Sequence, residues 1–150
     1  MEIRPINEQD RAEWVRMRDL LWPGAKADHE AETQRFFADP DERFATFVLA
    51  RQDGRLDGFI EMGQRNYAEG CASSPVAYIE GWYIDADLRQ QGLGAALVRA
   101  AEQWARDQGL KEMASDAEID NEVSISAHKA LGYKEEVRIV CFRKELNDAD

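Results

Sequence analysis

Apolar positions recur along this chain in two periods, and the switch between them predicts the elements. Glu2 to Ile6 alternates like a short strand. Asn7 is a plausible N-cap for a helix running to Leu21, with Trp14, Met17 and Leu21 on one stripe. Trp22-Pro23-Gly24 stops it, and a second helix is expected over roughly Ala27 to Ala38. Phe44 to Arg51 and Leu56 to Arg65 read as strands joined by the turn Gln52-Asp53-Gly54-Arg55. A polar loop, Asn66 to Ser74, leads to a strand over Val76 to Ile84. Helical spacing returns at Leu93, Leu97, Ala100, Ala101 and Trp104, and Gly109 is a good stop. Lys111 to Ala117 reads as a strand, and Asp120 or Asn121 as the cap of a short helix ending at Gly132. Tyr133 to Glu145 is expected to supply one or two last strands before a polar, acidic tail.

The expected order is β-α-α-β-β-β-α-β-α-β. It lacks the strict alternation of a doubly wound parallel sheet. It predicts an α/β (mixed α+β) chain, with a central mixed sheet and about four helices on its faces. With 150 residues and no internal repeat or linker, residues 1–150 are expected to form a single domain.

Charge narrows the partners. There are 30 Asp plus Glu against 19 Lys plus Arg, a formal net charge of -11. That disfavours a nucleic-acid backbone and suits a cationic ligand, although a solvated acidic surface has the same composition. No apolar run is long enough for a membrane span or shaped like a signal peptide. Cys71 and Cys141 show no metal spacing, so no metal is expected and a cytoplasmic location is.

The stretch that carries chemistry is the apolar strand, a polar turn and Arg89-Gln90-Gln91-Gly92-Leu93-Gly94 opening the long helix. The first amides of a helix have no internal partner and attract anions. Gly92 and Gly94 leave room for a phosphate, or they merely permit a turn with positive φ. No Gly-Lys-Ser/Thr follows, and Leu97 stands where a dinucleotide fingerprint needs its third glycine.

Arg-x-x-Gly-x-Gly after an Ile-Asp strand resembles the acetyl-CoA signature of the GCN5-related N-acetyltransferase superfamily, and the order of elements is similar along the whole chain. The resemblance implies that the amides of Gln90, Gln91, Gly92, Leu93, Gly94 and Ala95 hold the coenzyme pyrophosphate. It implies a splayed strand at Gly81, where the backbone of Trp82, Tyr83 and Ile84 meets the pantetheine arm and the thioester oxygen. As side chains, these aromatics are expected to pack in the core. Asn121 and Gly132-Tyr133 match a second motif, in which His128 stands where a Tyr is usual. Within the superfamily the chain is most similar to the aminoglycoside 6'-N-acetyltransferases. The matching segments are Leu21-Trp22, Glu80-Gly81 and Ser115 to Asn121, together with His128.

Acetyl transfer to an amine needs a base, oxyanion donors and a proton for the leaving thiolate. Glu80 is the candidate base. In a regular strand it shares a face with Val76, Tyr78, Trp82 and Ile84, and desolvation there raises its basicity. The alternative is a carboxylate that lies on an exposed edge or pairs with an Arg. His128 is a candidate acid or a packing residue. Asn121 contacts the coenzyme by resemblance, or is an ordinary N-cap. Trp22, Tyr67 and Asp116 are the acceptor-side candidates, and Glu118, Asp120, Glu135 and Glu136 are candidates to extend an acidic pocket. The resemblance implies acetylation of the 6'-amino group of an aminoglycoside, with acetyl-CoA as donor and a homodimer as the assembly. The alternatives are a polyamine or protein amino-group acetyltransferase, and a non-catalytic coenzyme-A sensor.

Overall fold

In the computed structural model, which describes Met1 to Asn147, the elements follow the expected order closely up to residue 114. They are β1 (Glu2–Pro5), α1 (Arg11–Leu21), α2 (Lys26–Ala38), β2 (Phe44–Ala50), β3 (Leu56–Arg65), β4 (Val76–Ile84), α3 (Leu93–Asp107), β5 (Met113–Ala114) and α4 (Glu122–Ala130). The expected helix start at Asn7 is instead a short 3-10 turn, Glu8–Asp10. There the Asn7 amide donates to Asp10 Oδ2 at 2.9 Å, and α1 begins one turn later. The acidic tail at 148–150 lies outside the described residues.

The sheet runs β1-β2-β3-β4-β5. The first three pairings are antiparallel and β4–β5 is parallel, so the sheet is mixed as expected. α1 brings Trp14 and Met17 against Val48, Ala50, Leu56, Phe59 and Tyr83, and Phe36 and Phe37 of α2 pack against the same cluster. α3 packs across β2, β3 and β4 and buries Leu97, Val98, Ala101 and Ala105. A stripe at helical spacing therefore covers strands whose side chains alternate between two faces. Gly109, at φ 76°, ends α3 just past its C-cap Gln108.

Two expectations are corrected. The strand Lys111 to Ala117 contracts to Met113–Ala114, paired with Ala77 and Tyr78. Residues 133–147 form no strand. Their alternation survives as exposed apolar side chains, Val137, Ile139, Val140, Phe142 and Leu146 among them. A period of two becomes a strand only where a neighbour offers its backbone groups. Among the described residues none does so for this segment.

The chain divides into a larger compact unit, Met1–Asp116, which holds the sheet, and a smaller one from Ala117 onward, which holds α4. No described helix is long and apolar enough to cross a membrane.

Candidate active site

The glycine turn is built as a helix N-terminus with exposed amides. Gly92 is the N-cap of α3 in the left-handed region at φ 79°, and Gln90 is there too at φ 66°. No heavy atom lies within 4 Å of where a Gly92 Cβ would sit. Arg89 anchors the approach: its Nε donates to the Ile84 carbonyl at 2.9 Å, and its guanidinium lies 5.6 Å from the Tyr83 ring. Gly94 admits the Trp82 indole, since a Cβ there would lie 3.1 Å from Trp82 Cζ2. Tyr83 stacks on Phe59 with centroids 6.1 Å apart and donates its hydroxyl to Asp85 at 3.0 Å. Burial, then that bond to Asp85, push the Tyr83 phenol up. Its side chain is core, as expected.

The strand before the turn is irregular at the expected place. Glu61 of β3 pairs with Gly81, but Met62 pairs with Ile79, so Glu80 is an extra residue. In such a bulge two successive residues oppose one. Tyr78 and Glu80 lie on the α1 side, and beyond the bulge that side continues with Gly81 and Tyr83. The regular face that joins Glu80 to Trp82 and Ile84 is therefore broken: Trp82 turns to the α3 side, against Gly94. β5 reaches only Ala77 and Tyr78, and β4 from Ile79 to Ile84 has no strand beside it on that edge among the described residues.

Glu80 is not a desolvated, isolated carboxylate. Arg65 Nε donates to its Oε1 at 2.8 Å and Nη2 to its Oε2 at 2.6 Å. The pair is half open, with side chains 43% and 32% exposed. The register sets Arg65 opposite Val76, three positions along β3 from the bulge, and its long side chain reaches back to a carboxylate fifteen residues away in sequence. This is the pairing alternative, and it replaces the expected desolvation.

Trp22 ends α1 and lays its ring on Gly81. A Cβ on Gly81 would lie 2.6 Å from Trp22 Cη2, which is why a side chain is missing there. Behind the indole stands a polar cluster that sequence reasoning missed. Arg18 lies 5.2 Å from the Trp22 ring and 5.6 Å from the Trp14 ring. It donates to Glu61 Oε1 at 2.9 Å, to Glu32, and to His29 Nδ1 at 3.3 Å. His29 accepts on Nδ1, so Nε2 carries the proton and donates to the Trp22 carbonyl at 2.9 Å. Trp14 Nε1 donates to the other oxygen of Glu61 at 3.2 Å. Burial pushes Glu61 up to about 7, against the pull of Arg18 and of the Trp14 bond. The signal available in the sequence was a carboxylate flanked by Ile60 and Met62 in a largely apolar strand.

Asp116 Oδ2 accepts from the Tyr78 hydroxyl at 2.6 Å. Burial, then that bond, push the Tyr78 phenol up. Arg65 covers the Tyr78 ring, 3.5 Å from its centroid. Glu80, Asp116 and Trp22 are thus brought together on one side of β4, with Arg65 and Tyr78 between the carboxylates. Tyr67 stands apart on the loop, 66% exposed, and donates to Glu69 at 3.1 Å.

In the smaller unit Asn121 is the N-cap of α4, and its Oδ1 accepts from the Ser124 amide at 3.1 Å. His128 Nδ1 donates to the Ser124 carbonyl at 2.7 Å, and its ring meets Tyr133 edge-on at 5.9 Å. Glu136 is exposed in the irregular segment. Among the described residues no group of three or more His, Cys, Asp and Glu is placed to hold a metal ion.

A strand, a glycine turn and a helix set beside a mixed sheet that opens next to them make an acyltransferase architecture. The Acetyltransferase (GNAT) family model matches residues 14–133. The chain is 44% identical to an aminoglycoside N(6')-acetyltransferase type 1 of Klebsiella aerogenes, over 96% of each chain. It is 38% identical to one of Stenotrophomonas maltophilia, over 96% of this chain and 93% of that one. Among solved structures it superposes with a TM-score of 0.88 on AAC(6')-Iy in complex with the bisubstrate analog CoA-S-monomethyl-acetylneamine. Identity there is 34%, covering 97% and 98% of the two chains. The apo enzyme AAC(6')-IG of Acinetobacter haemolyticus gives 0.89 at 32% identity, over 98% and 100%. The chain belongs to the GNAT acetyltransferases and, within them, to the aminoglycoside 6'-N-acetyltransferase family.

Proposed function

We propose that the protein transfers the acetyl group of acetyl-CoA to the 6'-amino group of an aminoglycoside, by direct attack in a ternary complex. The carrying observation is similarity over nearly the whole length of both chains to enzymes of that name, with 44% identity to one of them. The neighbour bound to a bisubstrate analog supports a site that takes donor and acceptor together. Residues 1–150 act as one catalytic domain in this reading, and the family match running from residue 14 to 133 across both units supports that.

In this reading the residues take the following roles. The amides of Gln90 to Ala95 receive the pyrophosphate at the α3 N-terminus, where the helix dipole favours anions. The open edge of β4 at Trp82, Tyr83 and Ile84 takes the pantetheine arm and donates to the thioester oxygen. Glu80 accepts the proton of the substrate ammonium. The amine then attacks the thioester carbonyl: the C–N bond forms, the C–S bond breaks, and the nitrogen releases its extra proton to solvent, which balances the proton taken up at sulfur. The thiolate leaves and takes a proton, with His128 as its donor. Asn121 contacts the coenzyme. Trp22 and Tyr67 frame the sugar, and Asp116 and Glu136 pair with further ammonium groups of the acceptor.

A cytoplasmic location and a homodimer complete this reading. The exposed apolar side chains at Val137, Ile139, Val140 and Phe142 support self-association. Light scattering on the purified protein tests it, and a monomer at all concentrations removes it.

An amine panel assayed with acetyl-CoA by thiol release tests the function. Turnover with kanamycin and tobramycin, with spermidine and peptide amines inert, is expected. Turnover only with spermidine or peptides assigns the protein to the other acetyltransferases.

A further inference from the structure

We propose that Arg65 is the enzyme's own cation on Glu80, and that it sets acceptor affinity because the substrate ammonium must displace it. The inference rests on the acetyltransferase reading, in which Glu80 receives the proton of the acceptor amine.

The geometry is that of an occupied cation site. Two parallel hydrogen bonds hold the guanidinium on the carboxylate, 2.8 Å and 2.6 Å long. Its face lies on the Tyr78 ring, 3.5 Å from the centroid. The Tyr78 hydroxyl ends on Asp116 at 2.6 Å. Carboxylate in front, aromatic face beneath and a second carboxylate behind the phenol form the environment that recognises an ammonium. The hydrogen bond to Glu80 raises the pKa of Arg65 and burial opposes it, so the side chain stays charged.

The contact is also built to be exchanged. Arg65 is the last residue of β3, at the start of the 66–74 loop, and its side chain is 43% exposed. Water therefore solvates the guanidinium when it swings away. Exposed ion pairs contribute little net stability, so an incoming ammonium can replace this one. Glu80 does not lose a counter-ion at any point: it trades a cation that cannot give up its proton for one that can. Apparent acceptor affinity is lowered by the fraction of molecules in which Arg65 holds the site.

Arg65→Gln keeps a polar side chain and removes the competing charge. Calorimetry without acetyl-CoA, titrating kanamycin, reads the effect. Kanamycin is expected to bind Arg65→Gln roughly two- to fivefold more tightly than wild type, the range expected of an exposed pair. Arg65→Lys keeps the charge without the fork and should fall between. In a Glu80→Gln background the gain from Arg65→Gln should vanish, because no carboxylate remains to contest. Unchanged coenzyme A affinity serves as the check on folding, and Arg65→Met replaces any variant that fails it. Equal or weaker kanamycin binding by folded Arg65→Gln overturns the proposal while leaving the acetyltransferase assignment in place. A gain that persists undiminished beside Glu80→Gln overturns it too, since general electrostatics would then explain it. A wild-type protein that neither binds nor acetylates any 6'-amino aminoglycoside overturns the functional reading and this inference with it.

Discussion

Replacing Gly81 by Ala adds one methyl group at the point where the candidate base meets the aromatic wall. The backbone at Gly81 has no positive φ, so the strand itself accepts alanine. The space does not. The new Cβ lies 2.6 Å from Trp22 Cη2, 3.0 Å from Cζ2 and 3.4 Å from Phe59 Cε2. Carbon atoms in contact sit at about 3.5–4.0 Å, so the indole must retreat by roughly 1 Å. It has nowhere easy to go. Arg18 stands 5.2 Å from its ring, His29 6.0 Å and Phe59 6.5 Å, and Arg18 is itself held by Glu61, Glu32 and His29. Overpacking of this kind costs about 1–3 kcal/mol, which lowers Tm by about 2–12 °C for a chain of this length. Losing a cation–aromatic contact to the acceptor costs about 0.5–2 kcal/mol, so KM for kanamycin should rise roughly two- to thirtyfold. Calorimetric Kd for coenzyme A should not move, because the glycine turn lies beyond the displaced ring. Steady-state kinetics and thermal melts on Gly81→Ala read all three. A variant with wild-type Tm and wild-type KM refutes the reasoning, since Trp22 would then not be wedged on Gly81.

Other perturbations separate the remaining roles. Gly92→Val forces a β-branched residue to φ 79° and places it where phosphate approaches, so coenzyme A affinity should collapse in a folded protein; unchanged affinity by calorimetry contradicts the pyrophosphate assignment. Glu80→Gln should lower kcat by about 10²–10⁴ with coenzyme binding intact, and a wild-type kcat from pH 6 to 9 removes Glu80 as the base. His128→Ala should slow the chemical step in single-turnover experiments; an effect on Tm alone makes His128 structural. Glu61 binds its proton more tightly folded, at about 7, than unfolded, near its ordinary 4.5. Its contribution to stability therefore falls as pH rises from about 4.5 to 7 and stays low above, a change of about 3 kcal/mol. Denaturant titrations should show Glu61→Gln losing that slope, and identical pH profiles for the two proteins count against the shift.

Much of the architecture was readable from period alone. α3 buries Leu97 and Ala101 of the expected stripe, with Val98 and Ala105 beside them, and ends at a glycine with positive φ, so pattern and punctuation agree. The bulge was visible as Gly81 but its consequence was not. Glu80 changes its neighbours because Glu61, on another strand, is matched with Gly81, and cross-strand register is a tertiary fact. The same holds for the Arg65–Glu80 pair and for the Arg18 cluster, which joins α1, α2 and β3. The last strands are absent for the opposite reason. Val137 and Ile139 alternate correctly, but alternation describes a face and does not supply the neighbour that makes a strand. Asn121 shows how one residue type serves two readings: the cap bond to Ser124 is in place, and a coenzyme contact is a further proposal.

The most direct test is the position of the acetyl group on the product. Wild-type protein is incubated with acetyl-CoA and kanamycin, and the product is mapped by mass spectrometry and two-dimensional NMR. A parallel reaction uses an aminoglycoside with a hydroxyl in place of the 6'-amine. One acetyl group on the 6'-nitrogen, with no product from the 6'-hydroxyl acceptor, is the predicted result. Acetylation at another amine, or equal turnover of the 6'-hydroxyl acceptor, contradicts the account.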